Sequence, residues 1–293
     1  MAGMGQTLDG AATPPLKLVA FDLDGVIYRG AEVLSGAAEA LQAVTERGLI
    51  LRFVTNNATL HRTAVAARLN GMGLAATPGQ VLGSAAATAA WLQGHIPPGS
   101  RVLALGEAGL LQELREAGFQ AQHVLPRPEL GLPETLPGNA PVRAVAVGLD
   151  RALTYASLAA ALQPILEGAL FVATNVDATF PTEGRLLPGG GSIVAAVAAA
   201  AGRQPEVIGK PGLGMAEALA RTTGVAYTNM LLVGDRLDTD IEMGLRAGMR
   251  TALVLTGVTQ QADVAQSERR PDFVLPNLQE LPGLLDRILA REA

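Results

Sequence analysis

The chain alternates between short, unbroken apolar runs and longer segments with apolar residues every three or four positions. Unbroken runs at residues 18–22 and 50–54 predict strands covered on both faces. Segments 37–47 and 62–69 carry helical spacing. A second block repeats the alternation, with strands predicted at 101–105, 144–149 and 170–173 and helices at 108–117 and 155–166. The first block's pattern resumes at Val207 and again at Met230. Repeated strand–helix units predict an α/β fold, a Rossmann-like doubly wound parallel sheet with helices on both faces. The interruption predicts a core at 16–83 and 187–293, split by an inserted α/β unit at 84–186. Pro188-Gly189-Gly190-Gly191 reads as a hinge or tight turn between them, because glycines tolerate large backbone changes, and not as a phosphate cradle, because it lacks the G-K-[ST] ending of a P-loop. The proline-rich stretch 126–141 reads as a surface loop. Residues 1–15 read as a flexible leader without the basic start and apolar centre of a signal peptide.

Polar clusters close the apolar runs. Leu18-Val19-Ala20-Phe21 runs into Asp22-Leu23-Asp24-Gly25, so two acids stand at the carboxyl end of a buried strand, where open α/β sheets build sites. Carboxylates this close repel each other unless a cation lies between them. Magnesium favours such oxygen ligands. The run at 50–54 ends in Thr55-Asn56-Asn57. The run at 207–209 ends in Lys210-Pro211, and the run at 230–233 in Gly234-Asp235-Arg236-Leu237-Asp238-Thr239-Asp240. Each has a plain structural alternative: an acidic turn, a helix cap, a solvated lysine, a charged turn. All four in this order are hard to obtain from structure alone.

Composition narrows the classes. Hydrophobic residues make up 49% of 293 residues but aromatics only 3%, so alanine, leucine and valine carry the core, as in helix-covered parallel sheets. A net charge of -5 gives no basic footprint for a nucleic-acid polymer. The absence of cysteine excludes disulfides and thiolate metal sites. No apolar stretch approaches the roughly 20 residues of a membrane span; the alanine-rich run 193–201 reads as a buried helix. A cytoplasmic location is expected. His61, His95 and His123 are scattered without ligand spacing, and a surface role is expected for His61. Trp91 reads as packing in a helix of the inserted unit.

With these residues in view, the chain resembles the haloacid-dehalogenase-like superfamily of aspartyl phosphatases. The closer resemblance is to the branch with NagD and the 4-nitrophenylphosphatase, pyridoxal-phosphatase and phosphoglycolate-phosphatase-like enzymes. It rests on D-L-D-G-V-I-Y at Asp22–Tyr28, T-N-N at Thr55–Asn57, G-K-P at Gly209–Pro211 and G-D-R-L-D-T-D at Gly234–Asp240, with V-G-L-D at Val147–Asp150 and T-N-V-D-A-T-F-P at Thr174–Pro181 between them. The resemblance implies a Mg2+-dependent hydrolysis of small-molecule phosphate esters through an aspartyl-phosphate, with the inserted unit as a cap. It implies Asp22 as nucleophile and metal ligand, and Asp24 as general acid and base with its backbone carbonyl on the metal. Asp235 would be a direct metal ligand; Asp240 and Asp238 would orient metal waters. Thr55, Asn56 and the backbone of Leu23 and Asp24 would bind the phosphoryl oxygens. Lys210 would offset phosphate and Asp22 charge, and Asn57 would hold the nucleophile loop or touch substrate.

Substrate choice is expected in the cap, with Asp177 and Phe180 as candidate leaving-group contacts; turn stabilisation by Asn175 and Asp177 is the equal alternative. Asp150 reads as the cap of the following helix. Two other readings stand beside the phosphatase: a phosphomutase using the same aspartyl-phosphate, and a receiver-like phosphoprotein without turnover. Sugar phosphates, nucleotides, phosphoglycolate and pyridoxal phosphate all remain open as substrates, and a homodimer through the cap is possible.

Overall fold

The strand Leu18–Phe21 is completely buried, as an apolar run without alternation requires when helices cover both sheet faces. In this computed structural model, which describes residues 14–126, 140–182 and 185–292, that strand is central in a six-stranded sheet. The order is Phe273–Leu275, Arg250–Val254, Met230–Gly234, Leu18–Phe21, Ile50–Thr55, Val81–Gly83. All neighbours are parallel. Phe21 lies beside Val233 on one side and Phe53 on the other. The three strands therefore end level and bring Asp22, Thr55 and Asp235 to one rim.

A second parallel sheet runs in the order Glu206–Val207, Leu170–Ala173, Val142–Val147, Arg101–Leu105, Gln120–His123. Its extent corrects the expected boundary at residue 186. The helix Gly190–Ala201 packs Ile193, Val194, Val197 and Ala198 into the same cluster as Val145, Val147 and Phe171. Glu206–Val207 then pairs with Leu170–Ala173. The second unit thus continues to Val207, and the run that precedes Lys210 belongs to its sheet. A two-residue edge strand is assigned only by its partner, which local pattern does not reveal.

The two sheets share a layer of helices. Ser84–Gln93, Ala108–Glu116 and Leu213–Thr223 lie between them, and one cluster joins Leu18, Ala20 and Val54 of the first sheet to Val102, Ala104, Ala144, Ala146 and Val172 of the second. The first of these helices buries seven of its residues, Ser84 to Ala89 and Leu92, so it lacks the single apolar stripe of a surface helix. Trp91 packs on this cluster, half-buried. Outside, helices Ala37–Glu46, Arg62–Gly71 and Leu281–Ala290 cover the first sheet. Tyr155–Leu166 and Gly190–Ala201 cover the second. Among the described residues no helix is long and apolar enough to cross a membrane. Of the expected leader over 1–15 and the proline-rich loop over 126–141, residues 1–13 and 127–139 lie outside the described residues.

Candidate active site

Each polar cluster predicted at a strand end stands at one junction, where the carboxyl edges of the two sheets meet. Asp22 follows the central strand, and its backbone N–H donates to Val233 O at 2.8 Å. Its carboxylate, only 8% exposed, accepts from Lys210 Nζ. The same ammonium donates to Asp240 Oδ1 at 2.6 Å. Asp240 sits in a π-helical turn, Leu237–Ile241, an irregularity common at functional sites. Its other oxygen accepts from the backbone N–H of Arg236 at 3.2 Å. Asp235 Oδ2 accepts from Val258 N at 2.7 Å. Gly257 makes that approach possible: a Cβ there would lie 1.9 Å from Asp235 Oδ2.

The electrostatics follow from crowding. Carboxylate oxygens of Asp22, Asp235 and Asp240 lie within 4.8 Å of one another, all buried. Burial first, then repulsion from Asp240, pushes Asp235 up to about 6. Burial also holds Asp22 well above the usual carboxylate range; Lys210 opposes this, while Asp240 and Asp235 add to it. Burial alone would lower the Lys210 ammonium, but Asp22 and Asp240 outweigh it and keep it protonated. Three acids against one cation form a site short of positive charge, which suits a divalent cation with hard oxygen ligands.

Asp24 occupies the mouth. Its side chain is exposed, yet desolvation by surrounding protein still raises its carboxyl, against the lowering pull of Arg68 and Lys210. Arg68 stands over the Tyr28 ring at 4.5 Å and donates to Gly30 O at 2.7 Å. The Leu23 side chain is buried, so only its backbone can serve the site.

The Thr-Asn-Asn loop is bonded across the junction of the two sheets. Thr55 is buried and accepts from Asn57 N at 3.2 Å. Asn56 Nδ2 donates to Asp177 Oδ2 at 3.0 Å and to Lys210 O at 2.9 Å, so its amide ties the first sheet's rim to the second sheet. Asn175 Nδ2 and Ser84 Oγ both donate to Asn56 O, at 2.7 and 2.6 Å. Asn57 is exposed and accepts from the Thr59 backbone N–H and hydroxyl, both at 2.8 Å. Asp177 is thus brought to the site. Phe180 stands half-buried on the hairpin of Thr179–Thr182 with Arg185–Pro188, opposite Leu187.

The triple glycine is packing, where a hinge was expected. A Cβ on Gly191 would lie 2.2 Å from Val176 O, and one on Gly189 2.2 Å from Asp177 O. Their N–H groups donate to Asp177 O at 2.9 Å and Ala178 O at 2.8 Å. These glycines buttress the Asp177 loop from behind. Asp150 likewise does not cap the next helix; Thr154 does, accepting from Ser157 N at 3.1 Å. Asp150 is buried against His123 Nε2 at 3.0 Å.

His61, expected at the surface, is buried. It caps Arg62–Gly71 and meets Glu116 Oε2 at 3.0 Å. Burial here is set by the helix Ala108–Glu116 docking over it. Sequence reasoning passed over Arg236, although it lies inside the quoted G-D-R-L-D-T-D motif. Its guanidinium grips Asp238 with both arms, at 3.0 and 2.8 Å. Asp238 faces this arginine and is 59% exposed, away from the buried acids.

A buried carboxylate, an ammonium beside it, a cluster of three buried acids and an acid of raised proton affinity at the mouth are the kinds of groups that phosphoryl transfer uses. Residues 19–120 match the family described as haloacid dehalogenase-like hydrolase, and residues 207–281 match the HAD-hydrolase-like family. The chain belongs to the haloacid-dehalogenase-like hydrolases. It is 38% identical over 286 residues to the glycerol-3-phosphate phosphatase of Homo sapiens, covering 89% of this chain and 88% of that one. The p-nitrophenyl phosphatase from Archaeoglobus fulgidus superposes with a TM-score of 0.81 at 31% identity, over 92% of this chain and 100% of the other. The glycerol phosphate phosphatase from Mycobacterium tuberculosis, solved in complex with magnesium, superposes with a TM-score of 0.78 at 37% identity, over 92% of this chain and 78% of that chain. Within the family the chain falls in the branch of phosphoric monoester hydrolases.

Proposed function

We propose that this enzyme hydrolyses small phosphomonoesters through an aspartyl-phosphate on Asp22. The observation that carries the reading is the buried cluster of Asp22, Asp235 and Asp240 closed by Lys210. Asp22, Asp235 and the Asp24 backbone carbonyl would hold Mg2+, with Asp240 oriented by Lys210 just outside. When bound, the ion supplies positive charge that neutralises the phosphoryl oxygens and the acids.

The chain's own groups account for the steps. A carboxylate oxygen of Asp22 forms a bond to phosphorus as the ester P–O bond breaks. Asp24 gives its proton to the departing alkoxide, a role its raised proton affinity favours. Lys210 offsets the negative charge gathered at Asp22. Thr55 and the backbone N–H groups of Leu23 and Asp24 face the phosphoryl oxygens. Asp24 then takes a proton from water, whose oxygen attacks phosphorus. The Asp22–phosphorus bond breaks, and inorganic phosphate leaves. Release of free phosphate without a bisphosphate primer separates hydrolysis from mutase chemistry, and turnover separates it from a receiver. The test is phosphate release from nitrophenyl phosphate with magnesium. Asp22→Asn, which keeps shape but removes the nucleophile, is expected to lose at least a thousandfold in kcat, about 4 kcal/mol of barrier. Activity within tenfold of wild type overturns the assignment.

A further inference from the structure

The turn that carries Asp24 is held by a strand end outside the quoted motifs. Leu255-Thr256-Gly257-Val258-Thr259 follows the strand Arg250–Val254. That strand pairs with Met230–Gly234, so its exit lies beside Asp235. Two backbone groups of the loop hold this acid: Val258 N donates to Asp235 Oδ2 at 2.7 Å and Thr259 N to Asp235 O at 3.2 Å. The half-buried Thr256 serves the opposite side. Its hydroxyl donates to Gly25 O at 2.7 Å, from 231 positions away in the chain. Its own carbonyl accepts from the Arg29 guanidinium. Gly25 has φ +82°, and a Cβ there would lie 2.7 Å from Asp235 Oδ2 and 3.1 Å from Gly257 Cα. The turn therefore rests directly on the acid and on the loop. Other bonds of the turn are local: Gly25 N donates to Tyr28 O at 2.8 Å, and Ile27 N and Tyr28 N donate to Leu23 O at 2.9 and 3.2 Å. Bonds within one turn fix its shape, whereas a bond from another element fixes its position.

We propose that Thr256 is a positioning residue for proton transfer: its hydroxyl fixes the Gly25 carbonyl and so aims the Asp24 carboxyl at the leaving-group oxygen. The inference rests on the phosphomonoesterase reading above, in which Asp24 gives up a proton. The Asp24 side chain is exposed, so its aim depends on the backbone beneath it. A hydroxyl has one proton to donate, and here it is committed to a backbone oxygen of the residue next to the acid. Without it, Gly25 O loses that partner and the turn can shift, and a shift of about 1 Å in a reacting group can cost about a hundredfold in rate. Only a poor leaving group needs the proton, so the loss falls on such esters. Asp22 and Asp235 keep their own bonds to Lys210 and Val258, so metal binding is retained. The hydroxyl is the working group, and serine can replace threonine.

The experiment measures kcat and KM for glycerol phosphate, an alkyl ester, and for nitrophenyl phosphate at saturating magnesium. It uses wild type, Thr256→Val, Thr256→Ser, Asp24→Asn and the double variant Thr256→Val/Asp24→Asn. Thr256→Val, which keeps the shape without the hydroxyl, is expected to lower kcat about tenfold for the alkyl ester and less than about threefold for nitrophenyl phosphate, with each KM within about twofold. Thr256→Ser is expected to restore the wild-type ratio of the two esters. In the Asp24→Asn background Thr256→Val is expected to leave that ratio within about twofold, because the group it aims is gone. Thermal scans give a reading without substrate: Thr256→Val should keep about half or more of the magnesium-induced rise in Tm. The proposal is overturned by equal losses on both esters, by no loss, by a serine variant that behaves like valine, by a further tenfold change of the ratio in the double variant, or by disappearance of the magnesium-induced rise. If Asp24→Asn separates the two esters and Thr256→Val does not, this inference fails alone. If Asp24→Asn does not separate them, the acid role of Asp24 fails with it.

Discussion

Asp24 differs from the acids behind it in reaching solvent. Asp22, Asp235 and Asp240 are packed against Lys210 or backbone donors. Asp24 has open water on one side and raised proton affinity on the other. Asp24→Asn should therefore spare good leaving groups and penalise poor ones. The expected loss in kcat is at least tenfold larger for an alkyl phosphate than for nitrophenyl phosphate, because the nitrophenolate departs without a proton. Equal losses, measured side by side with saturating magnesium, would remove Asp24 from the acid role. In wild type, alkyl-phosphate turnover should fall on the alkaline side as Asp24 deprotonates; its raised proton affinity moves that fall above the ordinary carboxylate range near 3.8.

At the scale of elements, the junction is latched by two helices from different sheets. Glu113, only 1% exposed, accepts from Arg62 N and Nε, each at 3.1 Å, and from its terminal nitrogen. Glu116 beside it is 46% exposed. Removing a buried acceptor strands its donors, whereas a surface pair contributes little. Glu113→Ala is expected to cost about 2–3 kcal/mol of unfolding free energy. Glu116→Ala, which leaves buried His61 Nε2 with Glu113 Oε1 at 3.4 Å, is expected to cost less, about 1 kcal/mol. Denaturant midpoints at equal slope measure both. Similar costs for the two would mean that the latch holds nothing. The Asp177 loop is secured in another way, by glycines that let the backbone at Gly189 and Gly191 pass within hydrogen-bonding reach of it.

For the whole molecule, the shared helical layer ties the two sheets into one body at the site. Lys210 follows an edge strand of the second sheet, with Ile208 N and Gly209 N bonded to Ala173 O and Thr174 O at 3.0 and 2.8 Å. Lys210 and the Asp177 loop therefore travel together. The acid cluster couples this body to pH and metal. With Asp235 at about 6, the folded metal-free protein holds more protons than the unfolded chain just below that value, so this group's contribution to stability declines as pH rises through about 6. A bound cation reverses the penalty and competes with the proton. Magnesium at a hundredfold excess over its Kd should add about 2.7 kcal/mol at pH 7.5, roughly 5–10 °C in Tm. At pH 5 the shift should be less than half as large, and a chelator should abolish it. A shift equal or larger at pH 5, read by thermal scans, would show that these acids are not the ligands.

The strands Leu18–Phe21, Ile50–Thr55 and Met230–Gly234 and the polar residues at their ends were legible because a doubly covered strand must be apolar throughout and must place its polar residues at or beyond its end. Local order along the chain was enough for Asp22, Asp24, Asp235 and Lys210 to be singled out. The sheet to which Glu206–Val207 belongs, the burial of His61 and the Asn56–Asp177 bond were decided only in three dimensions. Each depends on partners far along the chain, and a two-residue strand or a single amide carries no periodic signal of its own. The glycines at 189–191 show the same divide: the letters announce backbone freedom, but only the packed Asp177 loop shows that the freedom is used for close approach.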